Sequence, residues 1–146
     1  MWVDADACPK VIKEIIYKAA NRVQVITTFV ANSYIALPTS AYLKFVQVPK
    51  GLDVADSYIV NNLGSGDLVI TADIPLASEV IAANAYALNP RGEFYDENNI
   101  SLRLATRNLM EDLRTQGQIS GGPASISNKD KTLFANALDR FLQKNK

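Results

Sequence analysis

The sequence has no histidine, a single cysteine, a single tryptophan and no net charge. Each shortage removes a class of chemistry. Without histidine there can be no Ser-His-Asp or Cys-His catalysis and no His-ligated zinc site. Cys8 has no second cysteine to pair with, which suits a reducing cytosol. Lys plus Arg equals Asp plus Glu at 15 each, so no global field steers the chain to nucleic acid or a membrane. No apolar run approaches the roughly 20 residues that cross a bilayer. No signal peptide is read ahead of the first apolar run. A cytoplasmic protein with no membrane partner is therefore expected.

The 146 residues, 48% of them apolar, suffice for one core and predict a single domain over 1–146. Apolar stretches alternate with helical ones. Met1 to Asp4, Val23 to Val30, Phe45 to Val48, Asp67 to Thr71 and Tyr86 to Leu88 read as strands. Between them, Pro9 to Arg22, Asp53 to Leu63 and Pro75 to Asn84 read as helices. The run Leu68-Val69-Ile70 is continuously apolar, as in a parallel sheet covered on both faces. Asn89 to Asn98 is read as a polar loop, and Gln118 to Ser127 as a Gly/Ser/Pro connector. Asn99 to Gln116 and Asn128 to Lys144 complete the chain as two helices. The expected architecture is α/β: a three-layer, mainly parallel five-stranded sheet, Rossmann-like, with two additional C-terminal helices.

The acids carry the chemistry. Asp4 and Asp6 follow the first strand, and Asp73 follows Leu68-Val69-Ile70-Thr71. Asp53 and Asp56 open the helix after the third strand. In a parallel sheet the carboxyl ends share one edge, so Asp4, Asp6, Asp56 and Asp73 should converge there. If the first strand and the Asp67–Thr71 strand are neighbours, the gap between them is the topological switch point. Clustered carboxylates repel unless a cation or a proton relieves them. With no histidine, oxygen ligation of Mg²⁺ or Mn²⁺ is the expectation. The bland alternative is helix capping, since Asp suits N-caps and first turns and Asp53-x-x-Asp56 is close to a capping pattern. Capping explains each acid separately but does not predict that all meet. Asp67, after Gly66, reads as a turn residue.

The stretches Asp4-Ala5-Asp6-Ala7-Cys8-Pro9, Gly66 to Ala77, Asn89-Pro90-Arg91-Gly92, the Arg103–Arg107 helix and Gly121-Gly122-Pro123 together resemble the bacterial YaiI/YqxD family (DUF188, UPF0178). More distantly the pattern is similar to PIN-like nuclease folds. That resemblance implies a PIN-like fold with acids around Mg²⁺ or Mn²⁺: Asp4, with Asp6, then Asp56 and Asp73. A further acid on another helix belongs to that pattern, and only Glu79 or Glu14 loosely matches it. RNA rather than DNA is implied as substrate by the same analogy.

Cations supply the rest. From Asn99 onward eight Lys/Arg face four acids, a local excess of positive charge. Arg103, Arg107 and Arg114 fall within about 40° on an ideal helix and could meet phosphates, or pair with Glu111 and Asp112. Arg91 sits on the acidic edge. Arg91, Arg103 and Arg107 are the candidate substrate-binding residues. Cys8, near a helix N-terminus but beside acids, reads as a packed residue rather than a catalytic thiol. Gly121-Gly122-Pro123, with Ser120 and Ser125, could cradle an anion, though a connector is the simpler reading. Tyr34, Tyr42, Tyr58 and Tyr95 could stack bases, with core or rim roles as the default.

Three functions follow. The first is a metal-dependent phosphodiesterase of the nuclease type acting on RNA or DNA. The second is a phosphatase of the haloacid-dehalogenase kind, which also begins strand–Asp-x-Asp. The third is a non-catalytic nucleotide- or RNA-binding module.

Overall fold

A computed structural model describes residues 1–117, apart from the side chain of Arg114, and 125–145. The Gly121-Gly122-Pro123 motif and Ser120 lie outside these residues. Among the described residues the order is β1 (Trp2–Asp4), α1 (Lys10–Val23), β2 (Thr27–Ala31), β3 (Leu43–Gln47), α2 (Val54–Asn62), β4 (Leu68–Ile70), α3 (Ile74–Ala82), β5 (Tyr86–Leu88), β6 (Phe94–Tyr95), α4 (Ile100–Thr115) and α5 (Asn128–Lys144).

The sheet runs β3-β2-β1-β4-β5-β6, parallel except for the antiparallel β6. β1 pairs with β2 on one side and β4 on the other, with Val3 opposite Phe29 and Ile70. The chain winds outward through β2 and β3, then returns to lay β4 against β1. The switch point therefore lies between β1 and β4, and both strands end at the acids.

Alternation along the strands sends side chains into two cores. Val3, Phe29, Ile70 and Leu88 join α1 (Ile12, Ile16, Ala19) and α5 (Phe134, Leu138, Leu142). Val30, Val69, Ala87 and Tyr95 join Ile59 of α2, Leu76 and Val80 of α3, and Ile100 of α4. The apolar spacing in α1 and α5 explains their docking. α5 begins with a capping box in which Ser127 and Asp130 satisfy each other's backbone N–H groups.

The structure corrects the expected strand count. The sheet has six strands, because Asn89 to Asn98 holds β6 rather than a loop throughout. The Asn89 N–H donates to the Glu93 carbonyl at 2.9 Å and the Gly92 N–H to the Asn89 carbonyl at 3.0 Å, closing a tight turn. A two-residue strand is too short to show alternation in sequence. The second strand also starts later than read. Val23 ends α1 and Gln24 caps it in a left-handed conformation, with φ 60°. Val23 and Val25 still pack against the core, so their apolar character reflects burial and not strand geometry.

Candidate active site at the carboxyl edge of the sheet

Asp4 is the last residue of β1, and Asp6 follows it on the turn toward α1. Asp73 caps α3, accepting the Leu76 N–H on Oδ1 at 3.0 Å. Asp56 lies in the first turn of α2. Asp53 precedes α2 with φ 61° and makes no side-chain cap among the described residues. A non-glycine residue at positive φ is uncommon, and Asp tolerates it better than most. All five acids line one cleft of about 470 Å³, with Asn32, Gly51, Leu52 and Arg107.

Capping accounts for Asp73 in part and does not account for Asp53. It leaves the convergence unexplained, as the sequence argument anticipated. Asp67 lies elsewhere. Its Oδ2 accepts the Gly64 N–H at 2.7 Å and the Trp2 indole N–H at 3.1 Å, which fastens the turn before β4.

Protein donors hold one oxygen on each of three acids. The Thr71 hydroxyl donates to Asp4 Oδ2 at 2.8 Å and accepts the Asp73 N–H at 2.9 Å. Asp6 Oδ2 accepts the Asn32 N–H at 2.8 Å, just past the end of β2. The second oxygens of Asp4, Asp6 and Asp73 have no hydrogen-bond donor among the described residues. Among the described residues neither oxygen of Asp56 accepts a hydrogen bond.

Thr71, buried at 1% exposure, joins the Asp4 carboxylate to the backbone of Asp73, and the sequence reading assigned it no role. A signal was available: a hydroxyl closes the otherwise aliphatic run Leu68-Val69-Ile70, two residues before Asp73.

The electrostatics are those of an unrelieved acidic cluster. Burial pushes the Asp56 carboxyl up from 3.8 to about 7, and Asp73, Asp4, Asp53 and Glu79 add to the rise. Glu79, the loosely matching acid, thus reaches Asp56 with its charge, while Glu14 lies on α1 and is not part of the cleft. Burial also raises Asp4; the Thr71 hydrogen bond opposes this, and Asp73 and Asp6 reinforce it. Burial raises the Cys8 thiol to about 12, so it stays protonated and packs as a small apolar group.

The expected cations separate into two places. Arg107 lines the acidic cleft and pairs with Glu111 at 3.2 Å, one helical turn on. Arg91 and Arg103 line an adjoining groove. There Arg91 bonds Asp130 at 2.6 Å, and Arg103 pairs with Glu93 and lies over the Tyr95 ring at 5.8 Å. Of the tyrosines, Tyr58 packs edge-on against Trp2 and Tyr34 against Phe45, and the Tyr95 hydroxyl meets the Asn89 amide.

The donor set is all oxygen, which suits Mg²⁺ or Mn²⁺. Among the described residues no three acids already stand close enough to share one ion. The cleft gathers candidate ligands without a closed ligand cage.

A family profile described as "Uncharacterized BCR, YaiI/YqxD family" matches residues 2–144. A UPF0178 protein of Dechloromonas aromatica is 59% identical over 144 residues, covering 99% of this chain and 96% of its own. UPF0178 proteins of Proteus mirabilis and Legionella pneumophila are 57% and 53% identical over 146 residues, covering 97% and 99% of their own lengths. No solved structure matches.

Proposed function

The chain belongs to the YaiI/YqxD family (DUF188, UPF0178), and from that premise we propose that it is a cytosolic, metal-dependent phosphodiesterase of the nuclease type. One observation carries this reading. Five carboxylates line a single cleft at the sheet's switch point, and the one cation among its described residues is engaged with Glu111.

In this reading Asp4, Asp6, Asp56 and Asp73 hold one or two Mg²⁺ or Mn²⁺ ions. Such ions, when bound, stabilise charge on phosphate oxygens and make water a better nucleophile. The remaining work belongs to the chain. Thr71 fixes the Asp4 carboxylate, and the Leu76 N–H fixes Asp73, so each offers its second oxygen in a set direction. Burial and the neighbouring acids raise Asp56 to about 7 in the metal-free chain, so a cation that takes it as a ligand must displace its proton. Arg107 contacts the phosphate in the cleft, and Arg91 and Arg103 meet the backbone beside it. The fold would be a three-layer, PIN-like single domain, and RNA the favoured strand by the same analogy.

A second reading, a binding module without turnover, draws on the absence of a closed three-acid cage among the described residues. Cleavage of labelled single-stranded RNA and DNA with Mn²⁺ separates the two. Asp4→Asn and Asp73→Asn should each lower the rate by at least the roughly 100-fold that loss of outer-shell partners can reach. Cleavage surviving both substitutions contradicts the nuclease reading. Tight binding that ignores chelator and shows no turnover supports the module.

A further inference from the structure

We propose that the groove beside the acidic cleft is a second phosphate subsite. It would receive the backbone of a single nucleic-acid strand next to the bond held over the carboxylates. This rests on the nuclease reading and extends it to the substrate's neighbouring phosphates.

The groove has a volume of about 660 Å³ and shares Ala7 and Ala72 with the cleft. Both side chains are single methyl groups, and both residues are exposed, so no bulky wall divides the two hollows. Three cations line the groove from three elements: Lys10 of α1, Arg91 of the β5–β6 turn and Arg103 of α4.

Lys10 is the telling residue. It is the first residue of α1, where the helix dipole favours an anion. The first turn of α1 has no acid, and Pro9 gives no side-chain cap among the described residues. Folded proteins break such local rules chiefly at functional or strained sites. Lys10 is exposed and has no ion-pair partner among the described residues. Arg91 and Arg103 are held by Asp130 and Glu93 in partly exposed pairs, which contribute little and reorganise readily. The Arg103 guanidinium, which pairs with Glu93 through Nη2, carries further N–H donors suited to a phosphate oxygen.

The edge thus changes in charge: five acids and Arg107 line the first hollow, and Lys10, Arg91 and Arg103 outnumber Glu93 in the next. A duplex is not needed to bridge them, because one backbone crossing Ala7 and Ala72 passes from the first to the second.

The test is fluorescence anisotropy on the full chain with Ca²⁺ bound, using a long labelled single strand and a labelled dinucleotide. Lys10→Glu should weaken the long strand about fivefold and lower the salt slope of binding by about 0.7 per phosphate contact removed. The dinucleotide should lose less than the long strand. Arg103→Lys, which keeps the charge, should retain most of the affinity that Arg103→Ala loses. Equal loss for both probes, or indifference of the long strand to Lys10→Glu and Arg103→Ala, overturns the subsite. Weakened strand binding in a chain that never cleaves leaves the subsite standing and removes the nuclease. Intact cleavage with indifferent binding removes the subsite alone.

Discussion

At the scale of single residues, the site is defined by charges that the fold holds at a cost. Asp56 is the clearest case. Its carboxyl titrates near 7 in the folded chain against 3.8 in the unfolded one. The folded state therefore binds the proton more tightly. Below about pH 4 both states are protonated and the group costs nothing; the cost grows from there and is complete above pH 7. Asp56→Asn should raise stability at pH 8 by about 1–2 kcal/mol, allowing for solvent screening of a partly exposed group, and leave it unchanged near pH 4. Chemical denaturation at the two pH values checks this; an equal effect at both would refute it. Thr71 makes the opposite contribution, since its hydroxyl relieves Asp4. Thr71→Val keeps the shape and removes both hydrogen bonds, so it should cost about 1–3 kcal/mol and raise the Asp4 pKa further. Thermal melts and carboxyl titration by NMR read the two effects. Asp4 and Asp73 were visible in the sequence because one ends a strand and the other opens a helix, and Asp6 because it follows Asp4 on the strand-to-helix turn. Thr71 left only a weak signal, its hydroxyl at the end of an aliphatic run, because a threonine at a strand end looks like an ordinary β-branched residue.

At the scale of elements, the legible parts were those with a strong period. α1 and α5 each present one apolar stripe to a single core, and both were read with nearly their observed bounds. β6 escaped because its position is set by contacts and not by its own two residues. Gly92 shows why the hairpin sits where it does. It has φ +88°, and a Cβ there would stand 2.5 Å from the Leu133 carbonyl carbon and 2.7 Å from the Phe134 nitrogen. The β5–β6 turn thus lies directly on the backbone of α5. Gly92→Ala should destabilise by about 2–4 kcal/mol, combining positive φ with a clash against rigid backbone. Gly66→Ala makes a control: it shares a positive φ of +85° but meets nothing within 4 Å. Its cost should stay near the roughly 1–2 kcal/mol of the left-handed conformation alone. Equal costs at the two sites would show that the close approach to α5 contributes nothing.

At the scale of the whole molecule, the strand order determines where chemistry can occur. Once β4 returns to lie beside β1, Asp4 and Asp73 must share an edge, and α2 brings Asp56 to the same edge. That convergence was inferable from alternating strands and helices, given the neighbour relation of β1 and β4. The division of the arginines was not. Helical spacing alone grouped Arg103 with Arg107, whereas the fold turns them to two adjoining hollows. The cleft should respond to divalent cations as a unit. Because bound cation stabilises only the folded state, Mn²⁺ at 100 times its dissociation constant should add about 2.7 kcal/mol. The gain should shrink below pH 7, where protons compete for Asp56. The most direct test of the central claim is a calorimetric Mn²⁺ titration of the full chain at pH 8, beside the Asp4→Asn/Asp73→Asn double variant. The account predicts saturable binding of one or two ions that the double variant loses; no saturable binding, or binding unchanged in the variant, would contradict it.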